Sequence, residues 1–178
     1  FIQGYYVSGS LNAPLFNNGI SPNATDCDTI KVCLMDAGTY AEVECATGIL
    51  QTDGTVSLSF TSSGSFYLKV THQNTLETWS AAPVSISGTS SYDFTTDNAQ
   101  SYGPNMVEVA KGVWALFNGD VNGDGLIEAA DYSDIENAVV NFDLGYLPTD
   151  LTGDGLVEAA DYSLIENNVP LFIFTQHP

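Results

Sequence analysis

The chain has 178 residues and a formal net charge of −19, set by 22 acidic residues against three lysines (Lys31, Lys69, Lys111), no arginine and two histidines. So few cations cannot neutralise phosphates, which excludes nucleic acid as a partner and, for the same reason, an anionic membrane surface. No run of 18 apolar residues occurs, so no membrane insertion by a spanning helix is expected.

The length suits one sizeable domain plus a small one. The chain opens on Phe1 rather than Met, which suits a removed leader or a piece of a longer protein. The first segment, Phe1-Ile-Gln-Gly-Tyr-Tyr-Val7, reads as a strand. Asn23-Ala24-Thr25 has the form of a glycosylation sequon, a pattern short enough to arise by chance. Residues 29–35 and 40–47 read as neighbouring strands. Ile30, Val32 and Leu34 share one face of the first, with Cys33 on the other; Ala41, Val43 and Cys45 share the inward face of the second, with Glu42 and Glu44 outward. That parity disfavours Cys33–Cys45 and gives a slight preference to Cys27–Cys45. Three cysteines permit three single disulfides, each leaving one thiol over, either inert and half-buried or free to link chains.

The alternation continues in Val56-Ser-Leu-Ser-Phe60, in Ser65 to Thr71 with Phe66, Leu68 and Val70 on one face, in Val84-Ser-Ile-Ser87 and in Tyr92-Asp-Phe-Thr95. Breaks fall at Asp36-Ala-Gly38, Thr52-Asp-Gly54, Ser62-Ser-Gly64, Gln73-Asn74 and Ser87-Gly88. Short alternating strands at this spacing predict an antiparallel β-sandwich, Ig-like or prealbumin-like, over residues 1–117. His72 and His177 have no neighbouring nucleophile motif, and Glu42 and Glu44 read as a solvated strand face, so no catalytic set emerges. Tyr5, Tyr6, Tyr67, Trp79, Tyr92 and Trp114 are available to stack on a sugar, although core and sheet-face packing is the commoner use of such residues.

Val113-Trp-Ala-Leu-Phe117 runs into Asn118-Gly-Asp120 with no Pro- or Ser-rich tether, so the two parts are expected to pack as one rigid body. Then a 12-residue acidic loop occurs twice, starting thirty residues apart: Asp120 to Asp131 (DVNGDGLIEAAD) and Asp150 to Asp161 (DLTGDGLVEAAD). Each leads into a near-identical helix, DYSDIEN and DYSLIEN. Ca²⁺ takes six to eight oxygen ligands, and loop positions 1, 3, 5, 7, 9 and 12 supply them. These are Asp120, Asn122, Asp124, Leu126 (backbone carbonyl), Glu128 and Asp131 in the first loop. In the second they are Asp150, Thr152, Asp154, Leu156, Glu158 and Asp161. Gly125 and Gly155 hold the sharp sixth position. Apolar Ile127 and Val157 are the residues through which paired loops of this type touch in a short β-bridge. Thr152 offers a poorer ligand than Asn122, so two Ca²⁺ sites are expected, the second weaker. Two Ca²⁺ would move the net charge from −19 to −15, and without them the acidic segment should be loose.

Loops with Asp at position 12, followed by an exiting helix but no clear entering helix, resemble the dockerin family over residues 118–169. Dockerins are bacterial calcium modules of two such repeats that plug into cohesin partners. Their positions 10 and 11 help choose the partner; here both loops carry Ala-Ala (Ala129-Ala130, Ala159-Ala160), without the usual hydroxyl-bearing or bulkier pair. Leu68 to Ser80 and Tyr102 to Met106 are similar to β-modules that precede dockerin-like repeats at the C-termini of large secreted bacterial surface proteins.

The expected architecture is therefore mainly β: a sandwich (1–117), a small α-helical dockerin-like module with EF-hand-type loops (118–169), and a strand-like tail (170–178). The function expected first is a non-enzymatic, secreted calcium-binding structural protein of a bacterial surface, self-associating into a polymer or filament through its strand-like termini. The alternative is a docking module that binds a cohesin-like protein or anchors a secreted polysaccharide-active protein. Third comes a carbohydrate-binding module for a surface glycan.

Overall fold

The computed structural model describes residues 1–178. Near the N-terminus lie a ribbon of β1 (Tyr6–Val7) and β2 (Ser10–Leu11) and the single turn α1 (Pro14–Asn17). The main sheet follows, from β3 (Asp26–Asp36), β4 (Glu42–Gln51), β5 (Gly64–His72), β6 (Thr75–Trp79) and β7 (Val84–Ile86). Its order is β4-β3-β5-β6, with β7 pairing the opening residues of β5, and every pairing is antiparallel. A last ribbon, β8 (Val107–Ala110) and β9 (Val113–Ala115), precedes the loops. The chain is thus mainly antiparallel β with few helices, consistent with a β-sandwich.

Alternation puts Ile30, Val32, Leu50 and Val70 on the sheet face that meets Ile2, Tyr5, Leu11, Met106 and Leu116 in the largest core. The opposite face is also buried: Cys33, Met35 and Trp79 pack there with Tyr67 and Tyr102. This second burial overturns the expected cysteine pairing. Cys33 and Cys45 are direct cross-strand partners in the β3–β4 register and are joined as a disulfide, with Cα atoms 4.0 Å apart. Directly opposed residues share a face, so parity favours this pair. The expectation failed because it took Val43 as inward, whereas Val43 is exposed. Cys27 is left as a buried free thiol.

Two expected strands are absent. Val56–Phe60 keeps its alternation and packs Val56, Leu58 and Phe60 against the core, but it joins no ladder. It lies close over β4 at Gly48, where a Cβ would stand 2.7 Å from Leu58 Cδ2. Tyr92–Thr95 likewise joins no ladder, although Thr95 O accepts from Trp114 N–H at 2.9 Å, and its Tyr92 and Phe94 rings are 4.8 Å apart. The layer opposite the sheet is therefore extended chain and short ribbons instead of a second continuous sheet.

The chain ends also differ from the strands expected of them. Ile2 makes one parallel bridge to Leu116, with Gln3 N–H donating to Leu116 O and Leu116 N–H to Phe1 O. The tail forms a 3₁₀ turn, Val169–Leu171, and then pairs with the first acidic loop through the Leu126–Phe174 bridge. Both ends fold back on their own chain.

The C-terminal part contains α2 (Ala129–Asn141) and α3 (Ala159–Asn168). Its core, Ile127, Ile135, Leu151, Ile165 and Ile173, takes in Leu76 of β6 and packs Phe117. Ile173 belongs to this core, so the tail is packed together with the repeats.

Candidate functional site

Each acidic loop is a run of turns that ends as a helix N-terminus. The last loop aspartate is the third residue of its helix and reaches back to the loop. Asp131 accepts from Val121 N–H (3.0 Å), Asn122 N–H (3.3 Å) and Glu128 N–H (3.0 Å). Asp161 accepts from Thr152 N–H (2.9 Å) and Glu158 N–H (2.9 Å). The first aspartates do the same from the other end. Asp120 accepts from Asp124 and Gly125 N–H at 3.1 and 3.2 Å; Asp150 accepts from Gly153, Asp154 and Gly155 N–H at 2.8, 3.3 and 2.8 Å. Gly125 and Gly155 have φ of 85° and 90°, where a side chain would be strained. Asn122 Oδ1 accepts from Asp124 N–H, while Asp124 Oδ1 and Asp154 Oδ1 accept from Leu126 and Leu156 N–H. Glu128 and Glu158 are the helix N-cap residues, and the Thr152 hydroxyl donates to Asp150 Oδ1 at 3.3 Å.

Asp120, Asp131, Asp150 and Asp161 are all buried. Burial pushes the carboxyls of Asp120 and Asp150 up to about 6, and that of Asp161 upward too. No basic group answers them: the ion pairs are Lys69 with Glu42 and Glu77, and His72 with Asp28. Buried carboxylates without a cation are costly, and an all-oxygen donor set suits a hard cation such as Ca²⁺. The carbonyls expected at position 7 fit as well. The bridge bonds use the residues flanking Leu126, with Ile127 N–H donating to Ile173 O and Thr175 N–H to Gly125 O. Around Leu156 the same is done by Val157 N–H to Asp143 O and Gly145 N–H to Gly155 O. Both leucine carbonyls stay out of their bridges. The tightest grouping of carboxylate and sulfur ligand atoms lies elsewhere, at Cys33, Glu42 and Cys45, but the disulfide leaves no thiolate there.

The two loops do not bridge each other through Ile127 and Val157, as the sequence suggested. Those side chains are buried, and each loop pairs with the chain leaving the opposite helix: Leu126 with Phe174, Leu156 with Leu144. The thirty-residue relation thus carries past the helices into their exits. Phe142 and Phe172 both adopt the left-handed conformation (φ 56° and 54°) and are 82% and 85% exposed. Leu144 and Phe174, Leu126 and Leu156 are exposed beside them. Tyr132 and Tyr162 meet hydroxyl to hydroxyl between the helices. Sequence reading missed these apolar exits, although the matching phenylalanines thirty residues apart, and Pro148 and Pro178 after them, carry the signal.

The loops sit differently against the β-module. Loop 2 is held closely: Asn12 Nδ2 donates to Thr152 O at 2.6 Å, Asn74 Nδ2 donates to Asp150 O at 3.2 Å, and the Tyr5 ring lies against Gly153. Loop 1 borders a polar cavity of about 420 Å³ shared with Thr71, Thr75 and Glu77 of the sheet and with Thr175 and His177 of the tail. Between the loops, Asn118 accepts from Gly4 N–H and donates to Asn74 Oδ1, and Asn168 donates to Asn118 O. None of these asparagines was singled out from the sequence, because a buried amide looks like any loop amide until its partners are in place.

The remaining sequence candidates do not gather into a site. The His72 side chain is buried with Nε2 2.9 Å from Asp28, while His177 is exposed near the Trp79 ring. Glu44 caps the N–H groups of Thr61 and Ser62. Tyr5 and Trp79 are buried, Tyr6 and Trp114 pack on the main core, Tyr67 packs beside Trp79 and Tyr92 against Phe94, so each of these rings is engaged in packing within the chain.

No family model matches the chain, and no curated protein does. Its fold is shared with two crystal structures of a type II cohesin–X–dockerin complex from Acetivibrio cellulolyticus. One is an N-terminal interface mutant (TM-score 0.52, 18% identity, 92% of this chain and 88% of that chain covered). The other is a C-terminal interface mutant (TM-score 0.53, 18% identity, 95% and 92% covered). At 18% identity the likeness establishes fold. No helix is long and apolar enough to cross a membrane.

Proposed function

We propose that the chain is a non-catalytic docking module whose acidic loops hold two Ca²⁺ ions and whose helix exits engage a cohesin-like protein partner outside the cell. One observation carries the reading: a phenylalanine with a second large apolar residue two positions on, Phe142 with Leu144 and Phe172 with Phe174, stands exposed at both helix exits. Exposed apolar residues grouped in this way mark interaction surfaces. The chain shares its fold with structures of a cohesin–X–dockerin complex, which supports a protein as the partner. Asp120, Asn122, Asp124, Glu128 and Asp131, with the Leu126 carbonyl, would hold one ion. Asp150, Thr152, Asp154, Glu158 and Asp161, with the Leu156 carbonyl, would hold the other, more weakly. The ions supply the positive charge that the buried carboxylates lack, and so set the spacing of the two exits. The bound polymer-forming role expected from strand-like termini has less support, because both termini are hydrogen-bonded within the chain.

The test is binding of the full chain to an immobilised type II cohesin in millimolar calcium. Phe142→Ala and Phe172→Ala should each weaken binding by about 2 kcal/mol, roughly 30-fold, and EDTA should abolish it. Absence of binding at micromolar concentration, with calcium-dependent filaments of the chain alone in electron micrographs, would favour the self-assembly reading instead.

A further inference from the structure

Three buried side-chain polar atoms have no hydrogen-bond partner: His72 Nε2, Thr75 Oγ1 and Thr175 Oγ1. The first stands 2.9 Å from the Asp28 carboxylate, which answers it. The other two belong to Thr75 of β6 and Thr175 of the C-terminal tail, and both residues line the polar cavity that His72 also borders, together with Asp120, Gly123, Asp124 and Gly125 of loop 1. Thr75 is only 3% exposed. An isolated antiparallel bridge pairs it with Asn118, two residues before Asp120. Thr175 is fixed by its N–H bond to Gly125 O at 2.8 Å, and its hydroxyl lies 3.1 Å from where a Cβ on Gly125 would be. A buried hydroxyl left unpaired costs about 1–3 kcal/mol. Both residues line one cavity with the carboxylate-bearing Asp120 and Asp124, and a single polar occupant there would answer both hydroxyls.

We propose that Thr75 and Thr175 hold the water that completes the coordination of a cation in loop 1, so that this ion ties the repeats to both the β-module and the C-terminal tail. The inference rests on the calcium reading and extends it. A calcium loop commonly takes one ligand as water, and a buried water needs two to four polar partners. The ion and the two hydroxyls provide them, with each threonine donating to or accepting from the water. They are positioning residues and do not themselves ligate the metal. Loop 2 lacks the equivalent: thirty residues before Thr175 stands Gly145, with no hydroxyl to offer. Loop 2 is instead closed by Asn12, Tyr5 and Asn74. The two loops, near-identical in sequence, are thereby made unequal from outside.

Calcium titration calorimetry on the full chain tests this, with Asp150→Ala isolating loop 1 and Asp120→Ala isolating loop 2. In the Asp150→Ala background, Thr75→Val and Thr175→Val should each weaken binding about fivefold, the equivalent of one lost hydrogen bond. Thr75→Ser and Thr175→Ser, which keep the hydroxyl, should restore it. In the Asp120→Ala background the valine changes should have no effect. Unchanged affinity of loop 1 in both valine variants overturns the inference while leaving the calcium reading intact, as does equal weakening of both loops. A wild-type chain that binds no calcium overturns both.

Discussion

Cys27 and Glu44 show how side-chain chemistry is set by neighbours distant in sequence. Cys27 is wholly buried among Ile2, Tyr5 and Ile30, and burial raises its thiol well above the ordinary range. It is expected to be inert in the native protein. Without reductant, iodoacetamide should add no label to the folded chain and one label after denaturation, read as an intact mass; labelling of the native state at a rate near that of a free thiol would contradict the packing. Glu44 is half-buried, and the backbone N–H of Thr61, the Ser62 hydroxyl and the Ser62 N–H hold its carboxyl down to about 2. A depressed carboxyl contributes stability that is present above its unfolded value near 4.5 and lost as pH falls towards 2. Glu44→Gln should therefore flatten the loss of urea stability between pH 6 and pH 2.5, and an acid limb identical to that of wild type would refute the role. At this scale the two acidic loops and the helices they lead into were legible from spacing alone, because a 12-residue loop makes its hydrogen bonds locally. The Cys33–Cys45 pair was not, because parity fixes a face only when the strand's environment is known, and β3 is buried on both faces.

Among elements, short contacts decide where extended segments can lie. The N-terminal segment crosses the start of loop 2 at Gly4, where a Cβ would stand 2.1 Å from Leu151 O and 2.8 Å from Leu164. Backbone oxygen cannot yield as a flexible side chain can. Gly4→Ala should cost about 1–3 kcal/mol or more in urea unfolding. Gly38→Ala, in an open turn whose nearest neighbour is at 3.6 Å, is the control and should be close to neutral. The strands β3, β4 and β5 were readable from alternation. Val56–Phe60 alternates as strictly but joins no ladder, because alternation reports which side is buried and says nothing of whether an adjacent strand offers its N–H and C=O groups. The tail was misread for a related reason: Phe172 and Phe174 suggested a strand, and a 3₁₀ turn with a left-handed residue bends it back onto loop 1.

For the whole molecule, the contact between β-module and repeats is a buried polar bridge. Asn118 satisfies Gly4 N–H and Asn74 Oδ1 at once, and Asn74 reaches Asp150 O and the Tyr5 hydroxyl. Asp28 gathers Tyr5, Gln73, His72 and Tyr146 beside it. Asn118→Ala strands a buried donor and a buried acceptor, so it should destabilise by about 3 kcal/mol, lowering Tm by roughly 6–12 °C. A change within 1 kcal/mol of zero, or the separate melting of one part, would show that the bridge does not couple them.

The sequence alone determined the acidic loops, their helices and the short connection that brings them against a β-module. These features are local: turn glycines, carboxylate spacing and helix starts act within a dozen residues. Only the tertiary structure decided the disulfide, the pairing of each loop with the opposite helix exit, the exposure of Phe142 and Phe172 and the different surroundings of the two loops. Each of those joins residues far apart in the chain, and their partners become identifiable only once burial has chosen which surfaces meet.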